Sequence, residues 1–498
     1  MFRLTHRLVR ALAITLFGFG LIAQIQLSGG GVADLETALR WALLTGALAA
    51  AVPFGLRDDP HEIEPEPTCP LAPRLRLVVL LIAACWTLFQ LGVLSWGAIS
   101  TSARQWDGVV AWELRARALA DQPTLAQPLF LDEQVLRPSH SYPLLWPLLQ
   151  GTLTQMFGEA TSRMLPVALW LSLGAAVFTG LRKLGVTLAL AVTTAALTNP
   201  RMLDECVGAV DSGFADVPHA ALLTFLALGF ARRDALLLSA GTALLIWSKP
   251  EGILHALVPI AVAWLSAERR LSIAATLGLS TGLLAWLPLR QDLVGSPLGS
   301  GLWKIGLGLL ALTAVVALTA SLLHEWSFRA RAVTALGVSL IGLTLTFVFR
   351  QELFGHSAIG AYLEESQRGG RALGRLGRML WEFPQHALFG KGRLAVTFLA
   401  PCVTFVMLTR RGSALIGMAG LYLILGLGTV TMMACLTPEE DFTHYLKSSI
   451  GRVLMHWSGA AWIVTGLFAT RLIATGSGGE DDHDQALAVQ NADTVSTT

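Results

Sequence analysis

Apolar runs long enough to cross a lipid bilayer recur along almost the whole chain. A membrane-spanning helix needs about 20 consecutive, mostly apolar residues. The 498-residue chain is 53% hydrophobic and only 14% charged, whereas charged residues alone make up about 25% of a typical soluble protein. The sequence therefore predicts an all-α integral membrane protein with about 12–14 transmembrane helices. The predicted spans are centred near residues 19, 47, 86, 172, 192, 224, 241, 260, 280, 312, 340, 402, 425 and 461.

Basic residues predict the orientation of these spans, because cytoplasmic loops are enriched in Lys and Arg. With the first apolar run retained as a span and the N-terminus in the cytoplasm, the basic pairs below all face the cytoplasm. They are Arg182–Lys183, Arg232–Arg233, Arg269–Arg270, Arg329 with Arg331, and Arg410–Arg411. Both termini are then cytoplasmic, and the membrane is expected to be a bacterial inner membrane. The segments predicted on the periplasmic side are 98–163, 199–217, 248–252 with 290–301, and 437–452.

Changes in composition divide the chain into five parts. These parts are 1–76, two accessory N-terminal spans and a cytoplasmic linker; 77–350, a transmembrane core with the first periplasmic loop (98–163); 351–393, a basic amphipathic periplasmic segment; 394–475, the C-terminal spans; and 476–498, a disordered cytoplasmic tail. A miscounted span is the alternative explanation for the basic residues of the third part.

Charge and motif content argue against several classes of protein. The 36 Lys and Arg residues nearly balance the 34 Asp and Glu residues, so a nucleic-acid partner is not expected. The chain has no Walker loop and no GxGxxG motif, which argues against a nucleotide-binding domain. Its five cysteines have no CxxC spacing and so indicate neither a disulfide framework nor a zinc knuckle.

A polar and aromatic island at residues 106–117, with the sequence WDGVVAWELRAR, interrupts the apolar pattern. A helix beginning here carries Asp107 at its N-terminal end, where the helix dipole favours a carboxylate. Asp107 is therefore a candidate catalytic base. The alternative is a helix-capping Asp on a membrane-surface helix, with Trp112 anchored among the lipid headgroups. Arg115 and Arg117 have two interpretations, phosphate binding and interfacial snorkelling.

Two further periplasmic stretches carry candidate residues. His140 and Tyr142 begin a second amphipathic segment that is expected to lie along the membrane surface. These two residues have two interpretations, binding of an acceptor hydroxyl and anchoring at the interface. Asp216 stands at the mouth of a span, whereas the neighbouring loop acids are explained by solvation.

The remaining candidates flank the seventh and the last predicted spans. Lys249 lies between two short apolar runs near the membrane, where a cation is costly unless it is paired or functional. Glu251 could simply neutralise it. His444, Ser448 and Arg452 share one face at helical spacing, which is the geometry of a phosphate clamp.

Taken in order, these stretches resemble the dolichyl-phosphate-mannose and ArnT-like glycosyltransferases of the GT-C fold, a family that includes the protein O-mannosyltransferases. The resemblance covers residues 106–452, and each motif alone is weak to moderate. The stretches that carry it are WDGVVAWELRAR at 106–117, HSYPLL at 140–145, GFADVP at 213–218, WSKPEG at 247–252 and DFTHYLKSSIGR at 441–452.

The resemblance implies a membrane glycosyltransferase that moves a sugar from a polyprenyl-phosphate donor to a lipid, glycan or protein acceptor at the periplasmic face. Asp107 would act as general base, and Lys249, Arg452 and Arg115 would bind the donor phosphate. The residues expected to contact substrate are Trp112, His140, Tyr142, Asp216, Glu251, His444 and Ser448.

The chain departs from the family pattern at two places. Gly108 follows Asp107 where the family often has a second acid, so a requirement for Mg²⁺ or Mn²⁺ stays open. His444–Tyr445 stands where Trp-His is expected. These departures keep open a non-catalytic scaffold that retains the GT-C fold. A lipid or sugar transporter, including a flippase, is a separate alternative.

Overall fold

The computed structural model describes residues 1–51, 72–100, 112–131, 142–199, 203, 216–294, 308, 311, 315, 319, 326, 330, 369–384, 400, 414–435, 442, 451–452 and 454–476. These residues are overwhelmingly helical and include an isolated β-bridge between Val32 and Thr124. In chain order the α-helices are α1 (Phe2–Leu27), α2 (Leu35–Ala51), α3 (Pro73–Ser100), α4 (Leu114–Asp121), α5 (Pro128–Leu131), α6 (Leu145–Phe157), α7 (Glu159–Ser162), α8 (Leu165–Gly180), α9 (Gly185–Leu197), α10 (Asp216–Arg232), α11 (Ala235–Ser248), α12 (Gly252–Leu265), α13 (Arg269–Val294), α14 (Gly369–Pro384), α15 (Ala414–Cys435) and α16 (Ser458–Gly476).

Within the described residues, four helical segments are long and apolar enough to cross a membrane. They are Phe2–Leu27, Pro73–Ser100, Glu159–Gly180 and Arg269–Leu289. Shorter apolar helices accompany them, among them α11 and α12. The all-α prediction is confirmed for this part of the chain. The total of 12–14 spans stays a prediction, because the spans expected near 312, 340 and 402 lie largely outside the described residues.

The helix pair α10–α11 forms the centre of the bundle. Every residue of α10 from Asp216 to Ala231 is buried, and the helix packs against α8, α11, α15 and α16. α11 in turn contacts α1, α12 and α13. At Gly278 of α13 a Cβ atom would overlap the backbone carbonyl of Ser239 in α11. Glycine therefore permits the close approach of these two helices, as is common in membrane bundles.

α3 has the opposite character. Leu81, Ile82, Leu88 and Trp96 are 55%, 65%, 66% and 74% exposed, and the helix packs mainly on α9. Such a large exposed apolar surface is rare on a soluble monomer. Its exposure suits contact with lipid.

At one end of the bundle, the buried carboxylate of Asp234 links the turn between α10 and α11 to α1. Its Oδ1 accepts hydrogen bonds from the backbone N–H groups of Leu236 and Leu237, both at 3.1 Å. Its Oδ2 lies 2.9 Å from Nε2 of His6 and 3.8 Å from Nη1 of Arg10, both in α1. Burial alone would raise the pKa of Asp234, but the His6 hydrogen bond and the positive charge of Arg10 lower it.

The two ends of α10 and α11 can be placed from these contacts. Arg233, in the α10–α11 turn, pairs with Glu268, in the α12–α13 turn, at 3.2 Å. Both turns therefore lie at the end of the bundle that holds Asp234. Because α10 and α11 are antiparallel, Asp216 and Lys249 lie at the opposite end. α1 packs against α8 and α11 of the bundle. The predicted boundary at residue 76, between accessory N-terminal spans and the core, stays a prediction.

Candidate functional site

Asp216 is the centre of a buried ionic cluster at this opposite end. Its side chain is fully buried, at the first residue of α10. Oδ1 accepts hydrogen bonds from the ammonium of Lys249 and, at 2.8 Å, from Nε2 of His456. Oδ2 accepts from Nε and Nη2 of Arg452 at 2.9 and 2.7 Å. One carboxylate thus connects the start of α10, the end of α11 and the segment before α16.

The local sequence explains the position of Lys249. It follows the last residue of α11 and precedes Pro250, which disfavours helical backbone at the residue before it. Lys249 is accordingly extended, with φ −151° and ψ 157°. The chain then turns back into α12, and the N–H of Gly252 donates to the Lys249 carbonyl at 2.9 Å. A Cβ atom on Gly252 would overlap the carbonyl of Leu245, so only glycine fits this turn without a shift.

The cluster balances its charges. Lys249 lies 3.6 Å from Glu251, so with neutral histidines two cations, Lys249 and Arg452, face two carboxylates, Asp216 and Glu251. Burial would raise the pKa of Glu251, but the Lys249 charge lowers it below its usual value. The side chain of Arg452 is 25% exposed and that of Lys249 is 10% exposed. The side chain of Glu251 is 29% exposed, so the accessible side of the cluster presents both cations together with the Glu251 carboxylate, while Asp216 lies behind them.

Beneath the ionic cluster lies a layer of hydrogen-bonded histidines. Ser248 donates its hydroxyl proton to the Leu245 carbonyl at 2.8 Å, so its oxygen accepts from Nδ1–H of His219 at 2.7 Å. Nε2 of a neutral His219 then accepts from Nδ1–H of His255 at 2.8 Å. The His219 ring also lies 5.2 Å from the ring of His456. With the Ser248 hydroxyl directed at the Leu245 carbonyl, His219 and His255 both carry their proton on Nδ1.

A second group unites the two amphipathic segments of the first predicted periplasmic loop. The rings of Trp112 and Tyr142 lie 6.0 Å apart. Arg115 is fully buried and donates from Nη2 to the Tyr142 carbonyl at 3.0 Å, and its guanidinium lies 5.8 Å from the centroid of the Phe130 ring. Burial lowers the pKa of Arg115 to about 9, so it remains a cation at neutral pH. These contacts make Arg115 a link between the two segments.

This group lies at the same end of the bundle as the ionic cluster. A Cβ atom on Gly20 of α1 would meet Leu145, at the start of α6, at 3.0 Å and Trp247, next to Ser248, at 2.9 Å. The start of α6 and the end of α11 therefore flank the same point of α1. Tyr142 precedes this start by three residues.

Glu113 belongs to a separate charge network at the surface. Its Oε1 lies 2.7 Å from Nη2 of Arg117 and 3.1 Å from Nη2 of Arg163, and both arginines also pair with Glu159. The network joins the start of α4 to α7 and α8. It therefore accounts for Arg117 and Glu113 as partners in ion pairs.

The structure brings together some of the residues that the sequence singled out. Asp216, Lys249, Glu251 and Arg452 form one cluster, and Trp112, Arg115 and Tyr142 form another. The predictions for Asp107, His140, His444 and Ser448 fall outside the described residues.

Four members of the buried site were missed by sequence reasoning: His219, Ser248, His255 and His456. The spacing of the three histidines from charged residues could have identified them. His219 follows Asp216 by three residues, His255 follows Glu251 by four and His456 follows Arg452 by four. Each histidine thus lies on the same helix face as a charged residue of the site, one turn away.

Among the described residues, no group of three or more His, Cys, Asp or Glu side chains is arranged to hold a metal ion. Comparison of the chain with protein-family models, with curated proteins and with solved structures gave no match. The functional argument therefore depends on the geometry of the site and on the resemblance of its motifs.

Proposed function

We propose that the protein is a membrane glycosyltransferase of the GT-C type, which transfers a sugar from a polyprenyl-phosphate donor to an acceptor at the periplasmic face. The observation that carries the proposal is the pair of cations, Lys249 and Arg452, held on the single carboxylate of Asp216. They lie at one end of an apolar helical bundle, where a lipid-linked phosphate could reach them.

The chemistry of the transfer makes use of such a pair. The acceptor oxygen attacks the anomeric carbon, the bond from that carbon to the phosphate oxygen breaks, and the polyprenyl phosphate leaves with an additional negative charge. Cations fixed in advance near this charge stabilise the transition state without reorganisation. Asp216 fixes Lys249 and Arg452 in this way, because it hydrogen-bonds to both.

The proton of the acceptor hydroxyl needs a base, and the motif resemblance assigns this role to Asp107. Asp107 precedes Trp112 by five residues, and the segments that follow Trp112 pack at the same end of the bundle as Lys249. This proximity in sequence supports a location of Asp107 near the cations. Arg115, which the sequence suggested as a third phosphate ligand, contacts the Tyr142 carbonyl. The proposal therefore assigns the phosphate to Lys249 and Arg452 and assigns to Arg115 the positioning of Tyr142.

A transporter is less well supported. Transporters place ionisable residues and broken helices near the membrane midplane. In the described part of the bundle, the buried acidic and basic residues of the core gather at the helix ends, around Asp216 at one end and Asp234 at the other. This distribution favours chemistry at a membrane surface.

The proposal is tested by transfer assays in membranes that contain the protein, with polyprenyl-phosphomannose and polyprenyl-phosphoglucose each labelled in the sugar. We expect the unmodified protein to transfer label from one of these donors. Asp107→Asn should lower the rate about 100-fold or more, and Lys249→Gln should lower it similarly. Arg269→Gln, at an exposed position in the first turn of α13 at the other end of the bundle, is the matched control and should retain full activity.

Each result has a distinct meaning. Undiminished transfer by Asp107→Asn would remove this residue from the role of base. Donor binding by the unmodified protein without turnover would favour the non-catalytic scaffold. Failure to bind either donor would contradict the proposal.

A further inference from the structure

α14 has three different surfaces around its circumference. Arg375 and Met379 are 8% and 1% exposed and face the protein, where the helix packs against α15. Successive residues of an α-helix are about 100° apart, so Arg371 and Arg378 share one flank of this inner face. Leu373 and Leu376 share the opposite flank. Both arginines are exposed, and so are the two leucines, at 74% and 37%.

Trp381 completes this arrangement. It is 69% exposed and projects away from the protein, between the basic flank and the apolar flank. Tryptophan is enriched where apolar and aqueous regions meet in membranes. A helix with a basic flank, an apolar flank and a tryptophan between them matches the boundary of a bilayer.

The inner face connects α14 to the end of the bundle that contains the ionic cluster. Arg375 donates from Nη1 to the carbonyl of Cys435, the last residue of α15, at 3.4 Å. Its guanidinium also lies 5.2 Å from the centroid of the Phe442 ring. α15 is antiparallel to α10. Tyr422 contacts Phe230 near the end of α10, with ring centroids 5.4 Å apart, whereas Gly426, one turn later, lies against Trp457, which follows the His456 that bonds Asp216. The Cys435 end of α15 therefore lies at the Asp216 end of the bundle.

We infer that α14 lies in the plane of the membrane–water interface at this end and binds anionic phospholipids, with Arg371 and Arg378 contacting headgroup phosphates and Leu373 and Leu376 entering the acyl region. Charge complementarity selects this partner, because both exposed cations lie on the flank opposite the apolar side chains. The inference does not depend on the proposed transfer reaction.

The orientation is tested on the full chain in lipid nanodiscs of phosphatidylcholine with about 30% phosphatidylglycerol. Nitroxide labels are placed by Leu373→Cys or by Arg378→Cys in a background without the native cysteines. The label at 373 should collide mainly with oxygen dissolved in the acyl region, and the label at 378 mainly with a water-soluble nickel chelate. Equal aqueous accessibility at the two positions would overturn the inference.

Lipid selectivity is tested by native mass spectrometry of retained phosphatidylglycerol, with no polyprenyl phosphate present. Each basic side chain near an anionic surface contributes about 1 kcal/mol, so Arg371→Gln with Arg378→Gln should weaken phosphatidylglycerol binding about 30-fold. Arg378→Gln alone should give an intermediate loss, and replacing both arginines by lysine should largely preserve binding. The matched control replaces Arg269 and Arg270, exposed at the other end of the bundle, by glutamine.

The lysine and control variants make the result decisive. Equal losses with lysine and with glutamine would show that the arginines act through protein contacts and not through their charge on lipid. If the variant at Arg269 and Arg270 lost as much phosphatidylglycerol binding as the variant at Arg371 and Arg378, the effect would be a general one of charge. Either outcome, or unchanged binding after the Arg371 and Arg378 substitutions, overturns the inference.

Discussion

Arg452 and Asp216 are 236 positions apart in the sequence, yet two guanidinium nitrogens of Arg452 lie 2.9 and 2.7 Å from one carboxylate oxygen of Asp216. The contact closes the bundle at one end, since it fixes the segment before α16 against the first turn of α10. Lys249 meets the other oxygen of the same carboxylate. The geometry of the cations therefore depends on a single acidic side chain.

The first prediction concerns this side chain. Asp216→Asn keeps the shape but removes the charge that Lys249 and Arg452 share, and breaking a buried ion pair costs about 3–5 kcal/mol. The partial exposure of Arg452 places the expected loss near the lower limit of that range. Thermal unfolding in detergent measures it. A variant as stable as the unmodified protein would show that the cations find other partners.

The second prediction concerns the turn at Gly252. Gly252→Ala inserts a methyl group into the Leu245 carbonyl, so we expect lower stability and a displaced Lys249. Gly92→Ala in α3 is the matched control, because a Cβ atom there meets no atom within 4 Å and alanine favours a helix by about 1 kcal/mol. Unfolding measurements on both variants should show a loss of stability for Gly252→Ala and none for Gly92→Ala. Similar effects of both substitutions would contradict the proposed steric role of the turn.

The third prediction tests the histidine layer. Ser248→Ala removes the oxygen that accepts from His219 and leaves a buried N–H without this partner, at a cost of about 1–3 kcal/mol. Ser458→Ala is the control, since this equally buried hydroxyl donates to the carbonyl of Met455, three residues before it in the chain. We expect a clearly lower unfolding midpoint for Ser248→Ala than for Ser458→Ala. A reversed order would contradict the contribution of the Ser248–His219 hydrogen bond to stability.

The fourth prediction concerns pH and the other end of the bundle. The pKa of Asp234 is lowered in the folded protein, below the value of about 3.9 expected in the unfolded chain. Its contribution to stability is therefore present above pH 4 and is lost as the pH falls through the folded value. The stability difference between the unmodified protein and Asp234→Asn should therefore be larger at pH 5 than at pH 3 and shrink as the pH falls below about 4. A difference that persists unchanged at pH 3 would contradict the pairing of an ionised Asp234 with Arg10.

Much of the helical framework could be predicted from the sequence. Apolar runs predicted helices near residues 19, 86, 172, 224, 241, 260 and 280, and helices are present there. This succeeds because an apolar segment of that length satisfies its backbone hydrogen bonds internally as a helix. The basic segment 351–393 was likewise predicted to be amphipathic, and its described part, α14, is a helix with opposed flanks.

The side-chain partners could be predicted only in part. Lys249 was expected near an acid, and Glu251 was the obvious candidate from sequence proximity. The structure adds Asp216, because the pairing depends on how α10 and α11 associate. His6 and Asp234, 228 positions apart, are another example. Such contacts follow from tertiary packing, which hydrophobic periodicity does not specify.

Equilibrium binding of polyprenyl phosphate, compared with the uncharged polyprenol, tests the central claim most directly. If Lys249 and Arg452 form a phosphate site, the purified protein in nanodiscs should bind the phosphate about 100-fold more tightly than the alcohol, and Arg452→Gln should remove most of that preference. Equal affinity of the unmodified protein for the two lipids would contradict the account.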